Sequence, residues 1–325
     1  GRRGAIRQPP RAVTADRKPL WATLALVAIA AVWGSTFVIV KDAVEIYPLY
    51  AFIALRFAIA VAAFAVLFPR SFMRLSWSTV RAGVLAGGLL TAGYVFQTWG
   101  LQDTTASKAA FITGMFVVFT PLMQAIILRH TPARTTLAGV VVAVLGLWVL
   151  SGASADGWTV GDTRVLLCAV AYAGHMIVLG SVGRRHDVGA LTLTQLVVVA
   201  VVCGSISLAT EAPGLPSEGS VWFALVLTGV LASAVAFAVQ TYAQRHISPA
   251  KTALVLVTEP AFGGLFGWLA GDYFGIGGLA GSALILGGMA LAELPGLLGG
   301  GKRLAHEPSL EGMPVALARF DDPAR

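Results

Sequence analysis

The sequence predicts an all-α integral membrane protein of about ten transmembrane helices, arranged as two inverted five-helix repeats. Three observations predict this fold class: an apolar composition, ten long apolar runs, and motifs that recur in the two halves. Of the 325 residues, 57% are hydrophobic and 12% are charged, and the mean hydropathy is +0.79. Soluble globular chains carry about 25% charged residues. A chain with so little charge and so much apolar surface is typical of a protein that lies in a lipid bilayer.

Ten apolar runs along the chain are each close to the length of about 20 residues that a membrane-spanning helix needs. They are 20–40, 49–68, 79–99, 107–128, 135–152, 163–183, 189–210, 221–241, 250–270 and 275–294. Backbone groups cannot remain unpaired in hydrocarbon, so each run is expected to be helical. The chain therefore divides into a basic tail (1–19), a first repeat of five helices (20–152), a second (161–296) and a second tail (297–325). Both tails are polar and are expected to be disordered.

The basic residues between the runs predict the orientation of the helices. With the N-terminus inside, roughly 19 of the 23 Lys and Arg residues fall on the cytoplasmic side and three, Lys41, Lys108 and Arg164, on the other. This bias predicts a multi-pass protein of the cell membrane with both termini in the cytoplasm. Nucleic-acid binding needs basic residues clustered on one folded face, so the formal charge of +7 does not indicate it.

Other residue types exclude several kinds of chemistry. Cys168 and Cys203 lie inside apolar runs, where a free cysteine behaves as a small hydrophobe, so neither a disulfide framework nor a metal site is expected. The chain has no glycine-rich phosphate loop ending in Gly-Lys-Ser or Gly-Lys-Thr. No cofactor is expected, and direct use of ATP is not predicted.

Short motifs recur between the halves and indicate an internal repeat. Gln97-Thr98-Trp99 precedes Lys108 by the same spacing as Gln240-Thr241-Tyr242 precedes Lys251; Thr120-Pro121 is matched by Glu259-Pro260, and Gly139 and Gly146 by Gly281 and Gly288. Because each half has five predicted spans, the second half must be inverted relative to the first. Inverted repeats are a recurrent device of secondary transporters.

Several motifs in this order resemble the EamA-type members of the drug/metabolite transporter superfamily. They are Trp33-Gly34-Ser35-Thr36-Phe37, Arg56-Phe57, the stretch from Gln97 to Pro121, Glu259-Pro260 and Gly271-Asp272. The resemblance covers about residues 20–296, and family members often have Glu where Asp272 stands. It implies a path between the halves for a small-molecule solute, with export of amino acids, amines, nucleobases or toxic compounds as common activities.

Ionisable residues inside the spans are the first candidates for a transport role. Glu259 lies near the middle of the ninth span, where burial favours the neutral carboxyl, so it is expected to exchange protons or, alternatively, to be a hydrogen-bonded structural group. Arg56 is expected to pair with Glu259, to attract a substrate carboxylate, or to extend to the interface. His175 either relays a proton or packs in the core.

A further set is expected to line an amphipathic cavity or, alternatively, to serve as packing and interfacial groups. Its members are Trp33, Thr36, Tyr94, Gln97, Gln240 and Tyr242. Lys108 and Lys251 begin matching spans and are candidates either for gates or for interfacial anchors. Pro121 and Pro260 are candidates for gating because proline kinks a helix and leaves carbonyl groups free.

The leading functional prediction is a secondary transporter, either proton-coupled or facilitative, that is expected to export small organic metabolites by alternating access. An integral-membrane enzyme is the alternative from another class, and it would need clustered acids, a metal set or a nucleophile beside a base. The acids of the outer loops are instead scattered, so no enzymatic activity is predicted. A third hypothesis is a membrane sensor or assembly protein that does not transport a solute.

Overall fold

The structure is a computed structural model that describes residues 18–127, 133–153, 157–183, 185–212, 214–246, 252, 255–273 and 275–298. These residues form helices joined by short connections, and no strand occurs among them. The predicted all-α class is therefore confirmed. The tails beyond residues 18 and 298, and Lys251, lie outside the described residues.

The first half runs from α1 to α7. Its helices are α1 (Lys18–Ile46), α2 (Leu49–Leu67), the short α3 (Arg70–Met73), α4 (Trp77–Leu101), α5 (Ala106–Gly114), α6 (Phe116–Ile127) and α7 (Arg134–Ala153). Met115 separates α5 from α6, and its amide bonds the carbonyl of Ile112 three residues back. The two short helices thus form one bent span, with Pro121 inside α6.

The second half runs from α8 to α13 and contains a π-helical segment. Its elements are α8 (Val160–Val182), α9 (Val188–Thr210), α10 (Gly219–Val226), the π segment (Leu227–Val235), α11 (Ala236–His246), α12 (Thr258–Leu269) and α13 (Gly275–Leu298). The π segment joins α10 to α11 without a break, so these three elements form one long helical span.

Eight helical spans in the described part of the chain are long and apolar enough to cross a membrane. They are Leu20–Ile46, Leu49–Leu67, Trp77–Leu101, Ala106–Ile127, Val160–Val182, Val188–Thr210, Gly219–Gln244 and Gly275–Ala292. Helix α7 adds a shorter apolar stretch, Arg134–Leu150, and α12 has 12 residues. The chain is a multi-pass membrane protein, and the count of ten spans remains a prediction.

The two halves pack on one another along most of their length. Helix α4 packs on α8 and α9, while the π segment and α11 of the second half pack on α2 and α1 of the first. Helix α12 lies against α1 and α5, and α7 lies along α13. Helices of both halves therefore meet at the centre of the molecule, and the space there is lined by residues of both.

Glycines allow α7 and α13 to approach closely. A Cβ atom at Gly288 would lie 2.5 Å from the backbone nitrogen of Ala143, and one at Gly146 would lie 2.8 Å from the carbonyl oxygen of Gly281. Small residues let helix backbones pack closely in a membrane. Since later residues of α7 meet earlier residues of α13, the two helices are antiparallel.

Acidic residues of the second half cap helices of the first half at one end of the molecule. The Glu211 carboxylate accepts hydrogen bonds from the amides of Tyr50 (2.9 Å) and Ala51 (2.8 Å) at the start of α2. Asp272 accepts one from the amide of Ser107 (2.8 Å) at the start of α5. These bonds satisfy amides that have no partner within their own helix and complement the helix dipole. The halves are thus joined at this end.

Candidate functional site

A cavity lies where the two halves meet, and it encloses about 50 Å³ of space that water-sized molecules can occupy. Its walls come from α1, α2, α4, α6, α8, α11, α12 and the residues just before α12. The lining residues are Trp33, Thr36, Phe37, Arg56, Leu90, Tyr94, Gln97, Phe116, Tyr172, His175, Met176, Phe237, Gln240, Leu256 and Glu259. Because one water needs roughly 10–15 Å³ of such space, the cavity has room for a few waters in this conformation.

Arg56 of α2 is the buried cation of this cavity, with 3% of its surface exposed. Its Nε donates to Ser233 Oγ (3.0 Å) and its Nη2 to Tyr94 Oη (3.2 Å). Its Cζ lies 4.6 Å from the centroid of the Tyr94 ring, in a cation–π contact. No carboxylate of the described residues lies within 4.0 Å of the guanidinium, so Arg56 and Glu259 form no ion pair with each other.

The π segment holds Arg56 from the second half. Gly229 packs directly on α2, since a Cβ there would lie 2.7 Å from the carbonyl oxygen of Arg56. Ser233 accepts the hydrogen bond from Arg56, and the carbonyl of Ala232 accepts one from Trp33 Nε1 (2.8 Å). Short π-helical stretches are frequent at functional sites. This one presents a hydroxyl and a carbonyl oxygen to residues of the first half.

Glu259 stands near the start of α12, with 7% of its surface exposed. Its carboxyl group has no hydrogen-bond or ion-pair partner among the described residues, although it lines the cavity. The neighbouring Pro260 packs against the end of α5, where a Cβ at Gly114 would lie 2.7 Å from its Cγ. The proline therefore sits beside the α5–α6 bend, while the carboxyl group faces the cavity.

The polar side chains beside these charges contact residues of neighbouring helices. His175 Nε2 lies 2.7 Å from Gln195 Oε1, and the Gln195 amide also bonds the Leu191 carbonyl (3.2 Å). Gln97 Nε2 donates to Thr113 Oγ1 (3.3 Å). Gln240 Nε2 contacts Met176 Sδ (3.1 Å), and its buried oxygen has no hydrogen-bond partner among the described residues. The cavity thus offers both donors and acceptors.

The structure brings together eight residues that the sequence singled out. Trp33, Thr36, Arg56, Tyr94, Gln97, His175, Gln240 and Glu259 all line the cavity. Tyr242 does not: it is 42% exposed, and its ring lies 4.2 Å from that of His246. Pro121 lies in α6 and does not line the cavity, and Lys251 is outside the described residues.

The sequence analysis missed Ser233, Tyr172 and Phe237. The two aromatic residues complete the cavity wall, with the Tyr94 and Tyr172 ring centroids 5.9 Å apart and those of Trp33 and Phe237 5.6 Å apart. Ser233 lies in a run of small residues, and such a run is typical of close packing between helices rather than of a binding site. Its contact with Arg56 depends on the π segment, which no sequence motif indicated.

Lys108 lies away from this cavity, in a network that we call the ion-paired end, formed by Thr104, Lys108 and Asp162. Lys108 Nζ lies 2.6 Å from Asp162 Oδ2 and also donates to the Gly157 carbonyl (2.7 Å). Asp162 accepts from Thr104 Oγ1 (2.5 Å) and from the Thr159 amide (2.8 Å). The Asp162 side chain is fully buried. This pair joins the start of α5 to the start of α8.

Comparisons with known proteins identify the family. The model of the EamA-like transporter family matches residues 20–152 and 159–294. An uncharacterized transporter of Archaeoglobus fulgidus is 30% identical over 77% of this chain and 78% of the relative. The uncharacterized transporter YoaV of Bacillus subtilis is 24% identical over 76% of this chain and 87% of its own length.

A solved structure supports the fold. It superposes with a TM-score of 0.66 at 21% identity and covers 85% of this chain and 97% of its own. The chain belongs to the EamA-like transporter family, with one family repeat in each half. The resemblance predicted from the sequence is therefore confirmed.

Proposed function

We propose that the protein is a secondary transporter that exports small organic solutes, such as amino acids, amines or nucleobases, across the cell membrane. The observation that carries this proposal is the central cavity, which is bounded by both halves and contains Arg56 and Glu259. Buried charges in a membrane protein are costly and mark solute or ion paths. In the described part of the chain neither group has a counter-charge in contact, so structural pairing does not account for them.

Alternating access between inverted halves is the proposed mechanism. It is supported by the antiparallel contact of α7 with α13, whose matched glycines meet across the interface. The reciprocal packing of each half on the other supports it as well. The excess of basic residues on one side of the predicted spans favours cytoplasmic termini. Rocking of the halves would expose the cavity first to one side and then to the other.

The ion-paired end is the proposed closed gate of this conformation. Lys108 and Asp162 belong to different halves, and Asp272 of the second half caps α5 through Ser107. Separating the halves at this end must break these contacts. Pro121 and Pro260 lie in the helices that bend during the change, and Lys251 is the proposed counterpart of Lys108 at the opposite gate.

Glu259 is the proposed coupling group for protons. A carboxyl group away from water is more easily protonated, and water entering an opened cavity would reverse this preference. The titratable and charged groups that line the cavity with it are Arg56, His175, Tyr94 and Tyr172. Opening of the cavity to either side would change how far water reaches this carboxyl group, and with it the proton that it holds.

Solute flux in proteoliposomes tests this function. Purified protein is reconstituted and flux of labelled amino acids, amines and nucleobases is measured with and without a pH gradient. We expect gradient-dependent flux of one solute class, and loss of the gradient dependence in Glu259→Gln. Glu45→Gln is the matched control, because Glu45 is 58% exposed at the end of α1 and lies outside the cavity. Absence of flux for every class would contradict the proposal.

A further inference from the structure

We infer that Arg56 binds the carboxylate of the transported solute, and that the substrate is a small carboxylate with an apolar or aromatic body. This inference rests on the proposed function and deepens it, because it selects one chemical class from the several that a transporter can carry. Three features support it: the hydrogen bonds of the guanidinium, the charges around it and the residues that line the cavity.

Some N–H donors of the guanidinium form no hydrogen bond with the described residues. Arginine carries five N–H donors in a fixed planar fork, and the hydrogen bonds to Ser233 and Tyr94 engage one at Nε and one at Nη2. Both N–H groups of Nη1 and the second of Nη2 form no hydrogen bond with the described residues. Ser233 and the Tyr94 ring fix the plane of the group from two sides. A carboxylate can therefore be bound by two parallel hydrogen bonds without displacing a protein contact.

The charge balance favours an anion. A buried cation is stabilised by a counter-charge in contact, and the described residues place no carboxylate within 4.0 Å of Arg56. A solute carboxylate would supply that charge at the moment of binding. An organic cation that lacks a carboxylate would place a like charge, or nothing, beside Arg56 and would leave this guanidinium without a counter-charge.

The other residues of the cavity determine which kind of group can accompany the carboxylate of the solute. Trp33, Tyr94, Tyr172 and Phe237 surround the space beside Arg56 with edge-to-face or tilted ring contacts. Such walls suit an apolar or aromatic group, which would enter as the halves open, since in this conformation the cavity has room for a few waters. Glu259 and the free oxygen of Gln240 are acceptors in the same region, so the solute is either a plain carboxylate or one with an added ammonium group. Both share the carboxylate that Arg56 would bind.

Binding to purified protein in detergent tests the inference separately from transport. The ligands are matched trios in which the carboxylate or the amine is removed: L-phenylalanine, 3-phenylpropanoate and 2-phenylethylamine, with the corresponding set built on leucine. We expect carboxylates to bind and the amines not to bind. If only the amino acids bind, the ammonium group is also recognised; equal binding by the deaminated acids identifies a plain carboxylate site. Either result supports the role of Arg56.

Three variants make the test specific to Arg56. Arg56→Gln is expected to weaken carboxylate binding at least about 30-fold, and Arg56→Lys roughly tenfold, because it keeps the charge and loses the planar fork. Arg70→Gln is the control, since Arg70 is exposed at the start of α3 and lies outside the cavity. It should bind as the wild type does. Size-exclusion profiles and melting temperatures establish that each variant is folded.

The outcomes separate this inference from the proposed function. Binding of amines as tight as that of carboxylates, unchanged affinity in Arg56→Gln, or no binding by any carboxylate overturns the role of Arg56. Flux of an amine or a nucleobase that is indifferent to Arg56 would leave the transporter intact and refute the site. Arg56-dependent binding without flux in proteoliposomes would leave the site intact and refute the transporter.

Discussion

Lys108 and Arg56 are both buried cations of the first half, with 5% and 3% of their surfaces exposed, yet their surroundings are opposite. Lys108 has a carboxylate at 2.6 Å and a backbone carbonyl at 2.7 Å, and its partner Asp162 accepts further hydrogen bonds. Arg56 has a hydroxyl from Ser233, another from Tyr94 and an aromatic face, but no carboxylate within 4.0 Å in the described part of the chain.

This difference separates a charge that holds the protein together from one that is available to a ligand. Removing one member of a fully hydrogen-bonded buried ion pair strongly destabilises the protein, because the other charge is left buried without a partner. Removing a buried cation that has no counter-charge leaves no such unpaired charge behind. Removal of Lys108 should therefore destabilise the fold, whereas removal of the Arg56 charge should mainly impair ligand binding.

The largest effect on stability is expected at the ion-paired end. Lys108→Met leaves the fully buried Asp162 without its cation, and we expect a loss of about 3–5 kcal/mol in the free energy of unfolding. Adding Asp162→Asn should recover part of that loss, because no charge then remains buried. Unfolding in detergent, followed by circular dichroism, measures both. Glu45→Gln is the control, since it removes only the partly exposed, 3.9 Å pair with Lys41. Equal losses for Lys108→Met and Glu45→Gln would break the comparison.

Glu259→Gln is expected to change function with little effect on stability. The carboxyl group makes no hydrogen bond within the described residues, so a neutral amide of the same shape removes no protein contact. Stimulation of flux by a pH gradient should disappear, while the melting temperature stays close to that of the wild type. A large fall in the melting temperature would instead identify Glu259 as a structural group and contradict the comparison.

Tyr94→Phe sharpens the comparison by removing one bond to Arg56 while retaining the ring. A hydrogen bond to a charged group is worth about 1.5 kcal/mol, but this one is made with and without ligand. Carboxylate affinity should therefore fall by no more than roughly tenfold, because the guanidinium becomes less fixed. Titration calorimetry with the tightest ligand of the trios measures it. Tyr242→Phe is the matched control because that ring lies outside the cavity. Equal effects of the two substitutions would show that Tyr94 does not act through Arg56.

The smallest effect is expected at the surface pair of Arg74 and Asp187, which lies 2.8 Å apart before α9. Partial burial raises the pKa of Asp187, but hydrogen bonds from Arg74 and the Ala190 amide outweigh it and lower the pKa below its ordinary value of 3.8. Stabilisation is therefore present above that value and is lost as the pH falls through the lowered pKa.

Asp187→Asn keeps the cap on α9 and removes the charge. We expect a loss of roughly 0.2–1 kcal/mol at neutral pH, with the difference from the wild type vanishing in acid. Melting curves across pH 2.5–7 measure it. A loss as large as that in Lys108→Met would mean that burial does not set the strength of these pairs.

The helical class and the cavity charges were predictable from the sequence because both depend on strong signals. Apolar runs of bilayer length fix the class, and an arginine or glutamate inside such a run is conspicuous. The surroundings of these charges were not predictable. Whether Arg56 pairs with Glu259 depends on which helices of the two halves face each other, and the π segment that brings Ser233 to Arg56 has no sequence signal.

Tyr242 illustrates the same limit from the opposite direction. It was expected either to line the cavity or to pack at the interface, and a position in the sequence does not specify which face of a helix points inward. On α11, Gln240 and Phe237 line the cavity, whereas Tyr242 is 42% exposed. The rotation of a helix about its axis is set by tertiary packing. The sequence therefore predicted that α11 borders the cavity but not which of its residues face it.

The most direct test of the central claim is the flux of a labelled carboxylate in proteoliposomes containing equal amounts of folded wild-type protein, Arg56→Gln or Arg70→Gln. If the uncompensated charge of the cavity is the solute site, flux in Arg56→Gln falls more than tenfold while its melting temperature and the flux of Arg70→Gln remain near the wild-type values. Undiminished flux in Arg56→Gln would contradict the claim.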